Sequence, residues 1–265
     1  MRFIKMQGLG NDFVIIDGFA YADLGDVCSL AKRMCDRHFG VGADGLIWIT
    51  PSPRADARMR IFNADGSEAR MCGNASRCIG KFVYDKGLTN KKEITLDTLS
   101  GIKKLRLHVN DTNKVDTVTV NMGKPKIIET NLSIETAYGP FTGTSLSMGN
   151  PHFVILVDDL STIDLPTIGP AIEHHPAFPD RVNVEFAQIL SPTEIRMRVW
   201  ERGSGITQAC GTGACATAVA SILHGKAEPK TRVIMDGGPL TIEWEGEAVL
   251  MTGEAVNVFE GTIEI

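Results

Sequence analysis

Apolar and polar positions alternate along the N-terminal part of the chain with two different periods. Residues 2–18 alternate every second position and are rich in β-branched side chains, which predicts a strand, a turn and a second strand. Residues 24–35 carry apolar side chains at helical spacing, and Gly40 follows as a stop signal. Residues 46–51 and 57–63 return to the strand pattern.

The pattern then predicts a loop, a second helix and more strands. The turn-rich residues 63–71 lead into a helix that is expected to end near Gly87. Residues 92–109 and 116–123 alternate again, and residues 255–265 have the pattern of a strand pair. Strand is therefore expected to outweigh helix.

The sequence contains an internal repeat. When it is displaced by 138 residues, residues 58–73 align without a gap on residues 196–211, and Cys72 falls on Cys210. Upstream, residues 10–17 resemble residues 149–158 at a slightly different displacement. The common order of these matches predicts two related halves. The polar, turn-rich residues 110–116 mark the expected boundary between them.

Composition narrows the classes of function. The chain has 265 residues, 43% of them apolar, and a formal net charge of -5. This charge gives no electrostatic reason to expect nucleic acid or an anionic membrane as a partner. No signal peptide or long apolar run is present, so we expect a soluble, cytoplasmic protein that acts on a small molecule. The six cysteines are then expected to be reduced thiols.

Two of the cysteines are placed differently from the rest. Cys72 and Cys210 each precede a glycine at the predicted start of a helix, with Asn74 or Ser76 as candidate cap in the first case and Thr212 in the second. Free amides and the helix dipole favour an anion at such a position, whether a carboxylate or a thiolate. We therefore expect both thiols to have a lowered pKa and to be partly ionised.

Alternative roles for the cysteines remain open at this stage. Cys28, Cys35, Cys78 and Cys215 fall on the apolar spacing of helices, which is typical of buried structural thiols. Zinc ligation by Cys72 with Cys78 and by Cys210 with Cys215 is disfavoured because these spacings point the sulfurs apart on a helix. No C-x-x-C redox motif is present.

A duplicated thiol suits one kind of chemistry in particular. Inversion of a carbon centre needs one group that removes a proton and a second group that returns a proton from the opposite face. Cys72 and Cys210 could supply these groups if the two halves pack about a pseudo-twofold axis. The amides at both helix starts could then stabilise the substrate carboxylate without a metal.

The motifs that carry this chemistry resemble those of the diaminopimelate epimerase family. FNADGSEARMCGNASRC and ERGSGITQACGTGACA resemble its two cysteine motifs, and GLGNDFVIID and MGNPHFVI resemble its asparagine-bearing turns. The resemblance extends from residue 3 to the C-terminal strands. Ala75 departs from it, because the family's first motif has a glycine there.

The resemblance implies an α/β (α+β) fold with two pseudo-symmetric domains. Each would be a mixed, mostly antiparallel β-sheet curled around a central helix, with the active site between the domains. The N-terminal domain would comprise residues 1–115 and 254–265 and contain Cys72. The C-terminal domain would comprise residues 116–253 and contain Cys210.

The resemblance also implies a reaction and roles for individual residues. The family interconverts LL- and meso-2,6-diaminopimelate, for lysine and peptidoglycan synthesis, without pyridoxal phosphate. Cys72 and Cys210 would be the acid–base pair, and His152 and Glu201 would adjust the ionisation of the thiols. The α-carboxylate at the reacting carbon would be held by Gly73, Asn74, Gly211 and Thr212. Further substrate contacts would come from Asn11, Asn63, Asn150, Asn183, Glu201 and Arg202. Of these, Asn63, Asn183 and Arg202 would recognise the distal end of the substrate.

No cofactor or metal is expected, and the family suggests a homodimer. Two other functions compete with this interpretation. One is a pyridoxal-independent racemase of the same fold that acts on another amino acid, such as histidine or a proline-like substrate. The other is a non-catalytic zinc-binding or amino-acid-binding protein.

Overall fold

A computed structural model describes residues 1–264 of the chain. Contacts along the chain separate two compact units. The first comprises Met1–Asn121 together with the C-terminal segment that begins at Thr252, and the second comprises Met122–Met251. The domain limits expected from the sequence, at 115/116 and 253/254, stay a prediction.

Strands and helices follow one another in the predicted order at the N-terminal end. From the N-terminus to Gly123 the elements are β1 (Arg2–Gly8), β2 (Asn11–Asp17), α1 (Val27–Cys35), β3 (Gly45–Thr50), β4 (Ala57–Asn63), β5 (Glu68–Ala69), α2 (Gly73–Asp85), β6 (Glu93–Thr98), β7 (Gly101–Val109) and β8 (Val115–Gly123). Local chemistry explains several of the limits. The turn between β1 and β2 contains Gly10 with a positive φ of 82°, a conformation that glycine adopts without steric cost. Helix α1 begins after Asp26, whose carboxylate accepts a hydrogen bond from the Ser29 amide.

The rest of the chain repeats this order. Its elements are β9 (Lys126–Thr136), β10 (Gly139–Ser147), β11 (Pro151–Leu156), a short 3₁₀ turn (Leu160–Thr162), α3 (Leu165–Glu173), β12 (Asn183–Ser191), β13 (Glu194–Glu201), β14 (Gly205–Ile206), α4 (Gly211–Leu223), β15 (Lys230–Met235), β16 (Gly238–Glu243), β17 (Val249–Glu254) and β18 (Val256–Thr262).

Each unit contains a mixed, mostly antiparallel sheet with the same topology. In the first unit the strand order is β18, β1, β2, β3, β4, β6, β7, β8, and the parallel pairs are β2 with β3 and β4 with β6. In the second unit the order is β9, β10, β11, β12, β13, β15, β16, and the parallel pairs are β11 with β12 and β13 with β15. The predicted fold class is therefore confirmed.

The second helix of each repeat packs against its own sheet. Helix α2 packs on β1, β4 and β7, and helix α4 packs on β10 to β13, β15 and β16. Most of the α4 side chains are buried. Helices α1 and α3 cover separate hydrophobic clusters, which include Phe62 in the first unit and Phe153 in the second. This packing buries most of the second helix of each repeat.

Three expectations from the sequence need comment. Cys28 is exposed, because the buried face of α1 is formed by its neighbours Val27 and Leu30 and not by the cysteine. Of residues 255–265, expected to form a strand pair, Val256–Thr262 form the single strand β18, which pairs with β1, and Ile265 lies outside the described residues. The expected boundary between the halves, at residues 110–116, falls largely on residues 110–114, which form the turn between β7 and β8 in the first unit.

Within residues 1–264, none of the helices combines the length and the apolar character that a membrane crossing requires.

The packing predicts how two phenylalanines differ in their contribution to stability. Phe62 is completely buried, whereas Phe39 is 92% exposed. Phe62→Ala leaves a cavity and is expected to lower the free energy of unfolding by about 3–5 kcal/mol. The matched change Phe39→Ala is expected to cost less than about 0.5 kcal/mol. Chemical denaturation of both variants measures this difference, and equal losses of stability would contradict the assignment of the core.

Candidate active site

Cys72 lies at the N-terminus of α2 in the first unit. Its backbone is extended, with φ of -140° and ψ of 125°, and the helix starts at the next residue, Gly73. The Cys72 carbonyl accepts hydrogen bonds from the Ser76 amide and hydroxyl, both at 2.9 Å. Cys72 is therefore itself the capping residue, in place of the predicted Asn74 or Ser76. Its side chain is half-buried at the end of the helix where the amides are free.

Two predicted asparagines are linked to this thiol, one directly and one through the other. Asn11, from the turn between β1 and β2, places its Oδ1 3.7 Å from Cys72 Sγ and accepts a hydrogen bond of 3.1 Å from Asn74 Nδ2. The Asn11 amide nitrogen donates to Asp44 Oδ2 at 2.8 Å. Asp44 is in turn paired with Arg37 at 2.8 Å. Asn11, Asn74 and Cys72 thus form one group in the folded unit.

Arg77 holds this group through a hydrogen bond to Asn74. It is completely buried, its Nη1 donates to Asn74 Oδ1 at 3.0 Å, and its Nε donates to the carbonyl of Glu254 at 3.0 Å. Gly8 leaves the space for the guanidinium, because a Cβ at that position would lie 2.8 Å from Arg77 Nη2. The sequence reasoning did not single out Arg77. Its position among the apolar residues of α2 was the available signal.

Asn63 has a different environment. It ends β4 and is exposed, and its side-chain nitrogen donates to Ser67 Oγ at 3.0 Å. Its backbone amide donates to the Ser67 carbonyl at 2.8 Å. These are contacts of a turn, so the role of Asn63 in substrate recognition stays a prediction.

Cys210 has the equivalent position in the second unit, at the N-terminus of α4. Its sulfur accepts a hydrogen bond from the Gly213 amide at 3.3 Å and lies 3.5 Å from Thr212 Oγ1. The cysteine caps the helix with its own sulfur, and Thr212 is the second helical residue instead of the predicted cap. Cys210 is only 5% exposed, so it is more deeply buried than Cys72.

A chain of hydrogen bonds leads from Thr212, next to Cys210, to a buried pair of side chains. Asn150 Nδ2 donates to Thr212 Oγ1 at 3.3 Å, and Asn150 Oδ1 lies 3.1 Å from His152 Nε2. The other ring nitrogen of His152, Nδ1, lies 2.7 Å from Glu185 Oε1. His152 and Glu185 are both completely buried. The structure therefore brings the predicted residues Asn150 and His152 together with Cys210 and adds Glu185, which the sequence reasoning missed.

Glu201 is the second carboxylate near Cys210. It lies at the end of β13, accepts a hydrogen bond from Thr207 Oγ1 at 2.5 Å, and is hydrogen-bonded to the Cys210 side chain. Burial raises the pKa of Glu201, and the neighbouring Glu185 raises it further. His152 and the hydrogen bonds from Thr207 and Cys210 oppose this rise.

The ionisation of Cys210 differs from the expectation. Burial raises the pKa of its thiol well above the usual range, and the negative charges of Glu201 and Glu185 add to this effect. The hydrogen bonds from Thr212 and Gly213 act in the opposite direction and are outweighed. The prediction of a partly ionised Cys210 is therefore wrong, because it considered the helix terminus without the surrounding burial and carboxylates.

Asn183 and Arg202 are neighbours in the second unit. Asn183 is buried at the start of β12, its Nδ2 donates to the Pro151 carbonyl at 2.7 Å, and its Oδ1 accepts a hydrogen bond from the Arg202 amide at 3.0 Å. The Arg202 guanidinium is exposed and donates to the Asp180 carbonyl at 2.9 Å. Asn183 thus fixes the backbone from which Arg202 projects.

Glu173 holds the turn that carries Arg202. It is 3% exposed and accepts hydrogen bonds from Trp200 Nε1 at 2.7 Å and from the Gly203 amide at 2.9 Å. Arg181 pairs with the same carboxylate at 3.3 Å. Residues on both sides of Arg202 are therefore fixed by one buried side chain, which the sequence reasoning did not identify.

The remaining cysteines have structural positions, apart from the exposed Cys28. Cys35, Cys78 and Cys215 are buried, and burial raises the pKa of Cys35 to about 11 and that of Cys78 to about 12. Among residues 1–264, no three His, Cys, Asp or Glu side chains form a group that could hold a metal ion.

Solved structures show which folds this chain resembles. One similar structure is a probable proline racemase from Agrobacterium radiobacter K84, with a TM-score of 0.75, 17% identity, and coverage of 100% of this chain and 93% of that one. Another is a phenazine biosynthesis protein of the PhzF family from Bacillus anthracis, with a TM-score of 0.76, 16% identity, and coverage of 100% and 99%. At these identities the similarity shows the fold alone.

Sequence relatives are much closer. A protein named diaminopimelate epimerase from Parabacteroides distasonis is 57% identical over 267 residues, with coverage of 100% of this chain and 98% of the relative. A protein of the same name from Bacteroides thetaiotaomicron is 56% identical over 269 residues, with the same coverage. The family model described as diaminopimelate epimerase matches residues 3–128 and 144–258. This match, together with relatives of such high identity along the whole chain, shows that the protein belongs to the diaminopimelate epimerase family.

Proposed function

We propose that this protein is an isomerase that interconverts LL- and meso-2,6-diaminopimelate by inverting one α-carbon. The observation that carries the proposal is that a chain of this family has two related units, each with a cysteine at the start of a buried helix. Lysine and peptidoglycan precursor synthesis is the corresponding context. The relatives give no support to a racemase of another amino acid or to a non-catalytic binding protein.

The proposed reaction transfers one proton at each thiol. The Cys72 thiolate takes the α-proton, and the electron pair of the broken C–H bond stays on the α-carbon as a carbanion. The Cys210 thiol then gives its proton to the opposite face of that carbon. The reaction leaves Cys72 as a thiol and Cys210 as a thiolate, and the reverse reaction starts from this state. The raised pKa of Cys210 supports its starting role as the proton donor.

The helix termini would stabilise the carbanion. The free amides at Gly73 and Asn74, and at Gly211 and Thr212, are suited to bind the α-carboxylate, because N-terminal amides and the helix dipole attract negative charge. They oppose the growing negative charge next to the α-carbon. No cofactor is assigned to the reaction, because the thiols and the amides together supply its acid, its base and its electrostatic stabilisation.

Six other side chains would bind the rest of the substrate. Arg202 offers an exposed guanidinium that suits a distal carboxylate, and its backbone is fixed by Asn183. We assign recognition of the distal centre to Arg202, Asn183 and Asn63. The remaining contacts, to the reacting end of the substrate, are assigned to Asn11, Asn150 and Glu201. His152 and Glu201 would tune the thiols.

The central prediction concerns the two cysteines. Cys72→Ala and Cys210→Ala are each expected to lower epimerisation by about 1,000-fold or more, because each removes one of the two proton-transfer groups. Cys28→Ala is the matched control, since Cys28 is exposed and outside the site, and it should retain activity. The measurement is the conversion of LL- to meso-2,6-diaminopimelate, resolved by chiral chromatography, without added pyridoxal phosphate.

Three outcomes of this assay would contradict the two-thiol reaction. They are normal epimerisation by either site variant, a requirement for pyridoxal phosphate, and equal loss of activity in Cys28→Ala.

Recognition of the distal carboxylate predicts a second result. Arg202→Gln removes a charged hydrogen-bonding partner, so kcat/KM for diaminopimelate should fall roughly 10- to 150-fold, the equivalent of about 1.5–3 kcal/mol. Arg198→Gln is the matched control, because Arg198 lies on β13, the strand that leads into the turn of Arg202. It should change kcat/KM less than about threefold. Steady-state kinetics measures both values. An equal effect in the two variants would argue against Arg202 as the distal recognition group.

We also propose that the protein works in the cytoplasm as a homodimer that binds neither nucleic acid nor membrane. The family resemblance supports the dimer, and the net charge of -5 supports the absence of polyanionic partners. Sedimentation velocity of the purified protein is expected to give the mass of two chains, and cell fractionation is expected to recover it with the cytoplasmic proteins. A monomer at micromolar concentration would refute the dimer.

A further inference from the structure

A buried carboxylate with incomplete hydrogen bonding lies in the second unit. Glu185, on β12, is completely buried, and its Oε1 lies 2.7 Å from His152 Nδ1. Its other oxygen, Oε2, has no hydrogen-bond partner within residues 1–264. A buried carboxylate that is only partly hydrogen-bonded is costly to stability.

The first unit has an apolar side chain at the equivalent position. The parallel strands β11 and β12 pair His152 with Asn183, and the parallel strands β2 and β3 pair Phe13 with Gly45 in the same way. Two residues beyond Asn183 is Glu185. Two residues beyond Gly45 is Ile47, which is completely buried.

The pair His152–Glu185 is thus replaced by Phe13 and Ile47 in the first unit. The strand pairing is the same in both units, but the titratable pair of the second unit is apolar in the first.

The first turns of α2 and α4 differ between the two units in a related way. A Cβ at Gly213 would lie 2.7 Å from Glu185 Oε1 and 3.2 Å from Cys210 Sγ, so the carboxylate packs directly against the turn that carries the thiol. The equivalent position in α2 is Ala75, which is completely buried and has a methyl group. A side chain at position 213 would therefore crowd both Glu185 and Cys210, whereas the equivalent residue of α2 carries a methyl group.

Two strands place carboxylates near Cys210, Glu185 from β12 and Glu201 from β13. His152, from β11, pairs with Glu185. After burial, the two carboxylates are the main causes of the raised pKa of the Cys210 thiol. A group whose pKa is raised in this way stays protonated to higher pH. Glu201 belongs to the site already described, whereas Glu185 has no assigned role.

We propose that Glu185 is a positioning residue that makes the two thiols inequivalent, so that Cys210 rests as the proton donor and Cys72 as the proton acceptor. This inference rests on the two-thiol reaction of the proposed function. Glu185 acts through Cys210 and need not touch the substrate. It has no charged counterpart in the first unit, where the buried Ile47 occupies the equivalent position.

The consequence is a preferred starting state. A substrate whose α-proton must be removed by Cys72 binds to a protein that already has the required protonation states, with Cys72 as thiolate and Cys210 as thiol. A substrate of the opposite configuration at that carbon needs the Cys210 thiolate, so a proton must first leave Cys210 and another must be taken up by Cys72 from solvent. The two halves of a duplicated site are thereby given different tasks.

The test is the pH dependence of alkylation at each cysteine in the full chain. Glu185→Gln keeps the size of the side chain and an acceptor for His152 Nδ1 but removes the charge. Iodoacetamide reacts with the thiolate, and mass spectrometry of the peptides reports Cys210 and Cys72 separately in the same sample. We expect the alkylation of Cys210 at about pH 8 to become about tenfold faster in the variant, with its midpoint moved to lower pH. Cys72 should change less than about twofold.

Matched variants separate charge from structure. Ile47→Val changes the counterpart position without a charge and should leave both alkylation profiles unchanged. Glu185→Asp and Glu185→Asn form a second pair that differs in charge at a shorter side chain, and only the asparagine should move the Cys210 midpoint. A purely structural effect would alter the limiting alkylation rate at high pH, which reports access to the sulfur, and would leave the midpoint in place.

Two results would overturn the inference. One is an unchanged Cys210 midpoint in both charge-removing variants, and the other is an equal shift at Cys72. The alkylation assay contains no substrate, so its outcome is independent of the proposed reaction. A parent protein that fails to epimerise diaminopimelate while the Cys210 midpoint moves as expected would refute the proposed function and leave the effect of Glu185 on the thiol intact.

Discussion

The cysteine at the start of a buried helix is the constraint on which the rest of this structure depends. A helix that begins at Gly73 or Gly211 leaves its first amides without partners inside the helix. The first residue of each helix is a glycine without a side chain, and the sheet of each unit buries the helix that follows. The thiols, the amides and the surrounding asparagines all take their positions from this arrangement.

Contacts behind the site keep the two termini in place by different means. In the first unit a buried cation, Arg77, holds Asn74, which in turn bonds to Asn11 beside Cys72. In the second unit buried carboxylates take this supporting role, with Glu185 at His152 and Glu173 at the turn of Arg202. The buried charge behind the site is therefore a cation in the first unit and carboxylates in the second. Divergence after duplication has changed the electrostatics more than the backbone.

This difference suits a reaction that needs two similar groups in different protonation states. A symmetric pair of thiols would have no preferred donor. A carboxylate near one thiol biases that thiol toward its protonated form, and an apolar side chain at the equivalent position adds no such bias. The same backbone can thus supply an acid and a base when only a few buried side chains differ. Burial of a carboxylate with one unpaired oxygen at this position costs stability.

The sequence by itself determined the strand and helix order, the duplication and the placement of Cys72 and Cys210 at the starts of helices. These features depend on local periodicity and on matches between two segments of one chain, both of which are present in the residue order. The caps were misassigned, since a capping side chain is recognised by residue preference and cysteine is not a preferred cap. The ionisation of Cys210 was decided by the tertiary structure alone, because Glu185 and Glu201 come from separate strands. Desolvation and charge depend on which distant residues surround a group, and that neighbourhood exists only after folding.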